Sequence, residues 1–442
     1  MKNILFIFSD QQRQDTLGVY GQKLNVTPNL DKLAETGTVF ENSFTAQPVC
    51  GPARSCLQSG VYPSELGTFI NGISLPTNIK TVANYLNDAG YETAYVGKWH
   101  LASDDGKEEY HYKPVPEWKR GGYKDYWMAS DVLEFTSHGY DGYVFNKDME
   151  KVEFKGYRAD KITDFALNYL DEKNSDKPFF LFISYIEPHH QNDRKRYEGP
   201  IDSKEKFGNC EIPEDIKALG YGDSKENYAD YLGCCNSIDA NVGRIVDKLK
   251  EKNLLEDTVI IYTSDHGCHF KTRNRNLKKP GGDDYKRAPE DCVIKTPLII
   301  SGLDYLKNKR EKTFISLLDL PPTILQIAGY NSFDKMQGKT ILERIEEKNQ
   351  EVFIQISESF VGRAIRTDKF LYCIHAPNKN PWETKNSKEY EELYLYDIKK
   401  DPLELNNLIN DVNYVEEKEK LSILLRKNIK KYENMECTII KK

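Results

Sequence analysis

The 442-residue sequence lacks several features that mark specialised classes of protein. It has no apolar run close to the roughly 18–20 residues that a membrane-spanning helix needs. It has no excess of positive charge, because 62 Lys and Arg stand against 69 Asp and Glu, which gives a net charge of −7. Proteins that bind nucleic acids usually carry a strongly basic surface. We therefore expect neither a membrane nor a nucleic acid as partner.

We expect neither an export signal nor a disulfide framework in this sequence. The N-terminal segment MKNILFIFSDQQRQD has only about six apolar residues before the first acidic one, and no small-residue cleavage site follows them. The nine cysteines are an odd number in a long chain, so reduced thiols are expected. We therefore predict a cytoplasmic location.

Short apolar runs alternate with helical patterns over most of the chain. Such runs are typical of strands that are buried on both faces, and their alternation with helices predicts parallel βαβ units. We therefore predict an α/β fold with a large, mostly parallel central sheet sandwiched by helices. The strand-like runs are 4–8, 93–96, 179–186, 259–263 and 298–300, and the helical patterns are 28–35, 78–89, 161–170 and 238–249.

The pattern changes near residue 352, where short strand-like pieces (352–356, 370–374 and 393–396) follow one another and precede a charged helix at about 414–432. We therefore predict a catalytic domain at 1–350 and a smaller α+β subdomain at 351–442. Two segments, 103–144 and 193–224, show no sustained apolar period. We interpret them as surface insertions that shape a substrate pocket.

Two predicted strands end in residues that are able to bind a metal ion. Asp10 and Gln11 follow the first strand, and Asp265 and His266 follow the strand at 259–263. The carboxyl ends of parallel strands meet at one edge of the sheet, and oxygen ligands favour Ca²⁺ or Mg²⁺ over zinc. The alternative is that each Asp only caps the turn that follows it.

The segment from Pro48 to Gly60 combines a cysteine, a proline and an arginine at close spacing. Pro52 and the apolar residues after it predict a helix that begins just behind Cys50. Cys50 would then lie at a helix N-terminus, which favours anions, with Arg54 one turn further on. The alternative is a buried structural cysteine with an incidental arginine.

Cys50-x-Pro52-x-Arg54, followed by Leu57 and Gly60, resembles the signature of the formylglycine-dependent sulfatases of the alkaline phosphatase superfamily. Further blocks resemble this family in the same order along the chain: Ser9–Gln12, 27–34, Gly97-Lys98-Trp99-His100, Glu187-Pro188-His189, Asp265-His266-Gly267, 295–298, 364–369 and 395–402. The sequence departs from the family pattern at Gln11, where many members have Asp, at His266, where many have Asn, and at Ala53, where many have Ser. The change at residue 11 removes a negative charge.

The resemblance implies an alkaline-phosphatase-like fold and a role for several polar residues of the matching blocks. Cys50 would be oxidised to formylglycine by a maturation enzyme, and one hydroxyl of its hydrate would attack sulfur. The implied ligands of Ca²⁺, with Mg²⁺ as the alternative ion, are Asp10, Gln11, Cys50, Asp265 and His266. Arg54, Lys98 and Lys286 would bind the sulfate oxygens, although Lys278 and Lys279 are close enough in sequence to replace Lys286. His189 would protonate the departing alcohol, and His100 would take the proton of the second hydroxyl as sulfate leaves.

The expected substrate is a small sulfated mono- or oligosaccharide. We selected six polar residues as candidates for binding the sugar, against the alternative of a plain hydrophilic loop: His190, Gln191, Asn192, Arg194, His269 and Lys271. Two other hypotheses remain at this stage. One is hydrolysis of a phosphonate or phosphate ester by the same machinery. The other is a catalytically silent binding protein, which the presence of every implied catalytic residue disfavours.

Overall fold

The computed structural model describes residues 1–274, 285–330, 333, 335–348 and 350–441. Its strands form two sheets. The strands are β1 (Asn3–Ser9), β2 (Thr38–Phe44), β3 (Glu92–Lys98), β4 (Tyr126–Ser130), β5 (Asp141–Asn146), β6 (Lys151–Lys155), β7 (Phe179–Ser184), β8 (Thr258–Ser264), β9 (Leu298–Ser301), β10 (Lys309–Ser316), β11 (Glu351–Ile356), β12 (Gly362–Thr367), β13 (Phe370–His375), β14 (Glu389–Asp397) and β15 (Thr438–Ile440).

The α-helices connect these strands and cover the larger sheet. They are α1 (Pro28–Thr36), α2 (Cys50–Ser59), α3 (Pro63–Leu66), α4 (Val82–Asp88), α5 (Leu133–Thr136), α6 (Arg158–Glu172), α7 (Ser203–Phe207), α8 (Glu214–Leu219), α9 (Ser224–Glu251), α10 (Asp291–Ile294), α11 (Leu320–Ile327), α12 (Ile341–Glu346) and α13 (Val415–Glu433). Within the described residues, no helix combines the length and the apolar character that crossing a membrane requires.

The larger sheet has ten strands in the order β10-β2-β9-β8-β1-β7-β3-β4-β5-β6. The five central strands β8, β1, β7, β3 and β4 are parallel to one another, and β9 runs antiparallel to both of its neighbours. All seven residues of β1 are buried, which explains its continuous apolar sequence. The predicted α/β class with a large, mostly parallel sheet is therefore confirmed.

Successive side chains of β1 enter two different hydrophobic cores, because neighbouring residues of a strand point to opposite faces of the sheet. Phe6 and Phe8 pack in one core with residues of α2, α4 and α11. Leu5 and Ile7 pack in the other core with residues of α1, α6 and α9. The helices therefore cover both faces, and the free edge at the carboxyl ends of the strands is left for a site.

The smaller sheet has the order β11-β12-β13-β14-β15, antiparallel except for the last pair. Helix α13 packs on it through Leu421, Leu425 and Ile429. Its first strand begins at Glu351, which is where the predicted second domain begins, although the division into domains stays a prediction.

The structure corrects the interpretation of two segments as surface insertions. The segment 103–144 contains all of β4, which pairs parallel to β3 inside the main sheet, and the beginning of β5. The segment 193–224 contains α7 and α8 and supplies the buried side chain of Tyr197 to a core cluster. Both segments are therefore partly structural.

Candidate active site

Four elements bring polar side chains to the carboxyl end of the main sheet. Strands β1 and β8 are paired as far as Ser9 and Ser264, so Asp10 and Asp265 leave the sheet side by side. Strand β3 ends at Lys98, and the buried helix α2 begins at Cys50. This is the edge at which open parallel sheets bind their ligands.

The sulfur of Cys50 contacts polar side chains from several of these segments. It lies 3.0 Å from Lys286 Nζ, 3.4 Å from Asp10 Oδ1 and 3.4 Å from His266 Nε2. Burial alone would raise the pKa of the thiol, but Lys286, Lys98 and His266 outweigh it and hold the pKa well below its usual value. The site therefore favours negative charge at the side chain of residue 50.

Arg54 is buried one turn further along α2 and binds Asp10. Its guanidinium donates to Asp10 Oδ2 at 2.8 Å, to Ser184 Oγ at 2.7 Å and to the carbonyl of Lys98 at 3.0 Å. Lys98 Nζ also donates to Asp10 Oδ2, at 2.6 Å. Burial would raise the pKa of Asp10, but Lys98, His189 and Arg54 hold it well below its usual range. Asp10 is therefore ionised and held in one orientation, and Arg54 binds it from the buried side of the site.

Asp10, Cys50, Asp265 and His266 each offer one ligand atom, and these four atoms lie within 4.8 Å of one another. His266 Nδ1 lies 2.9 Å from the carbonyl of Gly267, and donation to that oxygen leaves the lone pair of Nε2 directed at the site. Asp265 Oδ2 is buried without a hydrogen-bond partner among the described residues. Burial and the charge of Asp10 raise the pKa of Asp265 to about 6, against the opposing effect of His266 and Arg54. A divalent cation fits this donor set, since it would satisfy the buried carboxylates.

Gln11 stands beside these ligands in a left-handed backbone conformation, with φ of 67°. Its backbone N–H donates to Asp265 Oδ1 at 2.8 Å, and its side-chain Nε2 donates to Tyr197 Oη at 3.0 Å. In the described part of the chain, its Oε1 is buried and has no hydrogen-bond partner. A buried acceptor in this state is costly, so Gln11 is compatible with the predicted role of a neutral oxygen ligand.

Three further predicted residues surround Cys50. Burial lowers the pKa of His100, against the opposing effect of the neighbouring Cys50. Lys286 Nζ lies 3.1 Å from His189 Nε2, so one ammonium group contacts both Cys50 and His189. His189 Nδ1 in turn lies 3.8 Å from Glu134 Oε2. Lys278 and Lys279, the alternatives to Lys286, lie outside the described residues.

A cavity of about 410 Å³ opens above these groups. Five of the predicted catalytic residues line it: Cys50, Lys98, His100, His189 and Lys286. Its volume falls in the roughly 300–1,000 Å³ range of small-molecule sites. The sequence-predicted catalytic set therefore faces one shared space, with Arg54 buried beneath it.

The structure corrects most of the predicted sugar-binding set at 190–194. Asn192 and its neighbour Asp193 line the described part of the cavity, whereas His190, Gln191 and Arg194 are not among its lining residues. His190 stacks on Tyr285 at 4.5 Å between ring centroids and donates from Nδ1 to Asn192 Oδ1 at 2.9 Å. Gln191 Nε2 donates to the carbonyl of Glu134 at 3.1 Å, and Arg194 pairs with Glu198 at 2.9 Å. These three side chains hold the loop in place.

The two candidates after the second metal-binding segment also make contacts within the protein. His269 is fully buried, and its Nε2 donates to the carbonyl of Lys286 at 3.0 Å, which fixes the backbone from which that lysine projects. Lys271 Nζ lies 2.9 Å from Asp223 Oδ2. We therefore assign support of Lys286 to His269 and a surface ion pair to Lys271.

The sequence reasoning did not single out several residues of the cavity wall: Asn71, Asp105, His111, Glu134, Phe135, Arg287 and Trp382. Most come from irregular segments, and Trp382 comes from the loop between β13 and β14 of the second sheet. The one signal in the sequence is the aromatic and charged composition of 103–144, which indicated a pocket but no particular residue.

The chain belongs to the sulfatase family. The sulfatase family model matches residues 2–330, and a second model, described as the C-terminal part of N-sulphoglucosamine sulphohydrolase, matches residues 284–431. These matches confirm the resemblance and identify the chain as a sulfuric ester hydrolase.

Curated relatives align with nearly the whole chain. An uncharacterised sulfatase, YidJ, of Escherichia coli K12 is 28% identical over 95% of this chain and 85% of its own length. An N-acetylglucosamine-6-O-sulfatase of Bacteroides thetaiotaomicron is 25% identical over 98% of this chain and 87% of its own length.

Solved structures share the fold over the same extent. A putative sulfatase, yidJ, of Bacteroides fragilis superposes with a TM-score of 0.80 at 26% identity and covers 98% of this chain and 96% of its own. A structure in complex with its substrate D-glucosamine-2-N,6-O-disulfate gives 0.76 at 21% identity over 98% of both chains. A phosphonate monoester hydrolase of Agrobacterium radiobacter gives 0.69 at 21% identity over 97% of this chain and 96% of its own. At 21% identity the last two show a common fold.

Proposed function

We propose that this sulfatase hydrolyses a sulfate monoester of a carbohydrate, with formylglycine derived from Cys50 as nucleophile and a divalent cation, Ca²⁺ or Mg²⁺, at the strand ends. The observation that supports this most is the surroundings of Cys50. A thiol at the start of a buried helix contacts an ammonium, a carboxylate and an imidazole, and it faces a cavity of substrate size. A thiol with a merely structural role does not need this concentration of charge.

Asp10, Gln11, Asp265 and His266 would hold the cation together with the side chain of residue 50. When bound, the cation favours deprotonation of the attacking hydroxyl and offsets the charge of the sulfate. The ligands are kept in place by the protein: Arg54 and Lys98 bind Asp10, and backbone N–H groups bind Asp265.

Residue 50 needs conversion because an unmodified serine or cysteine would stay sulfated after the first step. A maturation enzyme would supply the oxidant that converts the side chain to an aldehyde, whose hydrate has two hydroxyl groups on one carbon. The second hydroxyl gives the enzyme an internal route for expelling sulfate.

Lys98 and Lys286 line the cavity and would neutralise the sulfate oxygens, whose charge grows in the transition state. Arg54 supports them indirectly, since it holds Asp10 beneath the site. His189 faces the same space and would protonate the departing alcohol, and His100, beside residue 50, would take the proton of the second hydroxyl.

A carbohydrate substrate is supported by the polar cavity wall and by relatives whose names specify sugar sulfates, such as the N-acetylglucosamine-6-O-sulfatase. The fold is shared with a phosphonate monoester hydrolase, so a phosphonate or phosphate ester is the alternative substrate class. Both substrate classes would use the same anion-binding groups, and they would differ only in the part of the cavity that contacts the leaving group.

The test is a screen of positional sulfates of neutral and amino sugars beside phosphate and phosphonate esters with matched leaving groups, before and after chelation of metal. We expect the highest kcat/KM on a sugar sulfate, loss of turnover on chelation, recovery with Ca²⁺ or Mg²⁺, and no turnover by Asp265→Ala. A higher kcat/KM on phosphonates would favour the alternative class. Full activity after chelation would contradict the cation site.

A further inference from the structure

Two aromatic side chains lie exposed and stacked beside the cavity. Tyr112 is 63% exposed and Phe135 is 46% exposed, yet their rings stack at 5.8 Å between centroids with an angle of 19°. The ring of His111 meets Phe135 edge-on at 5.2 Å. Grouped exposed aromatic rings are unfavourable in water, and such patches commonly mark binding surfaces. We call Tyr112 and Phe135 the aromatic shelf.

The shelf is continuous with the cavity that contains Cys50. Phe135 and His111 line the cavity wall, whereas Tyr112 extends the stacked surface away from it. Trp382, which is 38% exposed, also lines the cavity. A chain of sugar rings that extended from the cavity on this side would pass the exposed surface of Phe135 and then that of Tyr112. Flat aromatic faces bind the apolar faces of sugar rings.

Carboxylates occupy the cavity wall next to the shelf. Asp105 and Asp193 are exposed, and Glu134 is buried to more than nine-tenths. Asp105 and Asp193 each have a histidine partner, at 3.1 Å from His111 and 2.8 Å from His138. Carboxylates accept hydrogen bonds from sugar hydroxyls or amines and repel another carboxylate. The wall therefore disfavours a uronic acid beside the sulfated ring.

We infer that the aromatic shelf is a subsite for the sugar ring next to the sulfated one, so that the substrate is a sulfated oligosaccharide of neutral or amino sugars. This inference rests on the proposed function and specifies its substrate. The sulfated ring occupies the cavity above Cys50, and the neighbouring ring lies on Tyr112 and Phe135.

The test compares three kinds of probe that share the sulfated ring on which the enzyme is most active. They are its methyl glycoside, two disaccharides with a neutral hexose attached at either end, and the matching disaccharides with a uronic acid. We expect one neutral disaccharide to exceed the methyl glycoside in kcat/KM by roughly threefold to tenfold, the size of one ring-face contact. The uronic acid disaccharides are expected to fall below the neutral ones.

Variants separate a stacking surface from a general effect on folding. Tyr112→Ala and Phe135→Ala are expected to bring the ratio of disaccharide to monosaccharide kcat/KM close to one, whereas Tyr112→Phe keeps the ratio. Trp118→Ala removes another exposed aromatic ring, outside the cavity wall, and should also keep it. The same ratio is expected in binding affinities, measured by calorimetry on the Cys50→Ala background, which has no nucleophile at residue 50 and so leaves the probe intact.

Three results would overturn the inference. An unchanged ratio in Tyr112→Ala and Phe135→Ala, or a preference for the uronic acid probes, would do so while sulfate hydrolysis, and with it the proposed function, stands. Equal kcat/KM for the methyl glycoside and both neutral disaccharides would have the same meaning. Absence of turnover on every sugar sulfate would instead contradict the proposed function as well.

Discussion

Lys286 places one ammonium group within 3.0 Å of the sulfur of Cys50 and 3.1 Å of His189 Nε2. Lys286→Ala is therefore expected to reduce kcat/KM for a sugar sulfate by about 100-fold or more, the usual cost of losing one preorganised group that stabilises developing negative charge. Steady-state kinetics of purified variants measure the effect.

Lys271→Ala is the matched control, because Lys271 pairs with Asp223 at the surface nearby. It should keep kcat/KM within about twofold of wild type, as expected for an exposed ion pair. Equal losses in the two variants would show that Lys286 acts through general charge or stability and would contradict its assignment to the sulfate.

His189 is assigned to the departing alcohol, and that role predicts a dependence on the leaving group. An alkyl alcohol needs a proton as it leaves, whereas a nitrophenolate leaves without one. In His189→Ala, kcat/KM should therefore fall by about 100-fold or more for a sugar sulfate and by much less for 4-nitrophenyl sulfate. The kcat/KM values of both substrates are compared in wild type and variant.

The control for this prediction is His375→Ala, at the end of β13 in the second sheet. This variant should change kcat/KM only slightly, and by the same factor for both substrates. An equal loss on both substrates in His189→Ala would contradict the role of general acid, since a residue that only shapes the site has no reason to distinguish the leaving groups.

The sequence correctly predicted site residues that lie directly after a strand or at the start of a helix. The carboxyl ends of β1, β3 and β8 necessarily meet, so Asp10, Lys98 and Asp265 come together once the sheet forms. The prediction failed for His190, Gln191 and His269, because their neighbours Tyr285, Glu134 and Lys286 are distant in sequence. Polarity indicates that a side chain forms hydrogen bonds but not with which partner.

Among the contacts between elements, the side chain of Asp239 in α9 caps the N-terminus of α1. Its carboxylate accepts hydrogen bonds from the backbone N–H groups of Asn29 at 3.1 Å and Leu30 at 2.7 Å. These groups have no partner within their own helix. Burial is the largest effect on this carboxyl, and it raises the pKa to about 6 in spite of those hydrogen bonds.

This pKa predicts how stability varies with pH. The folded-state pKa lies above the unfolded value of 3.8, so the folded protein binds the proton more tightly, and this contribution to stability is present below pH 4 and lost as pH rises through 6. The free energy of unfolding of wild type, relative to Asp239→Asn, should fall by up to about 3 kcal/mol between pH 4 and pH 7. Urea unfolding at several pH values measures it.

Asp247→Asn changes an exposed carboxyl on the same helix and should show no such trend relative to wild type. A difference between wild type and Asp239→Asn that is constant over this range would contradict the raised pKa.

The strands of the larger sheet that were predicted correctly are buried over the predicted residues. Strands β1, β7 and β8 are buried along their whole length and have uninterrupted apolar sequences. The prediction missed β2 and β4, whose sequences TVFENSF and YWMAS mix polar and apolar residues because each strand is only partly covered. Periodicity therefore revealed the centre of the sheet better than its outer strands.

At the scale of the whole molecule, a buried ion pair anchors the last helix against the second sheet. Glu433 at the end of α13 accepts hydrogen bonds from Arg363 of β12, whose Nη2 lies 3.1 Å from Oε2, and from Gln355 of β11 at 2.6 Å. Gln355 also bonds Ser64 of α3, beside the catalytic helix. The contact therefore connects the smaller sheet with the elements next to the active site.

Glu433→Gln should lower the free energy of unfolding by about 3–5 kcal/mol, because Arg363 would remain buried without its counter-charge. Urea unfolding measures this loss. Glu436→Gln, three residues away at an exposed ion pair, should stay within about 0.5 kcal/mol of wild type. Equal stability of the two variants would contradict an anchoring role for the buried pair.

Activity of the whole molecule depends on conversion of Cys50, and another of the nine cysteines provides the control. Cys56 lies on the same helix, but burial raises its pKa well above the ordinary value, and it has none of the cationic neighbours of Cys50 among the groups that act on it. Cys56→Ala should therefore be active, whereas Cys50→Ser should become sulfated once and then stop.

The most direct measurement is turnover of a sugar sulfate against the fraction of formylglycine at residue 50. Preparations expressed with different amounts of maturation enzyme provide the range, and peptide mass spectrometry gives the fraction. We expect kcat per polypeptide to be proportional to that fraction and to extrapolate to zero for the unmodified thiol. Repeated turnover by protein whose Cys50 is entirely unmodified would contradict it.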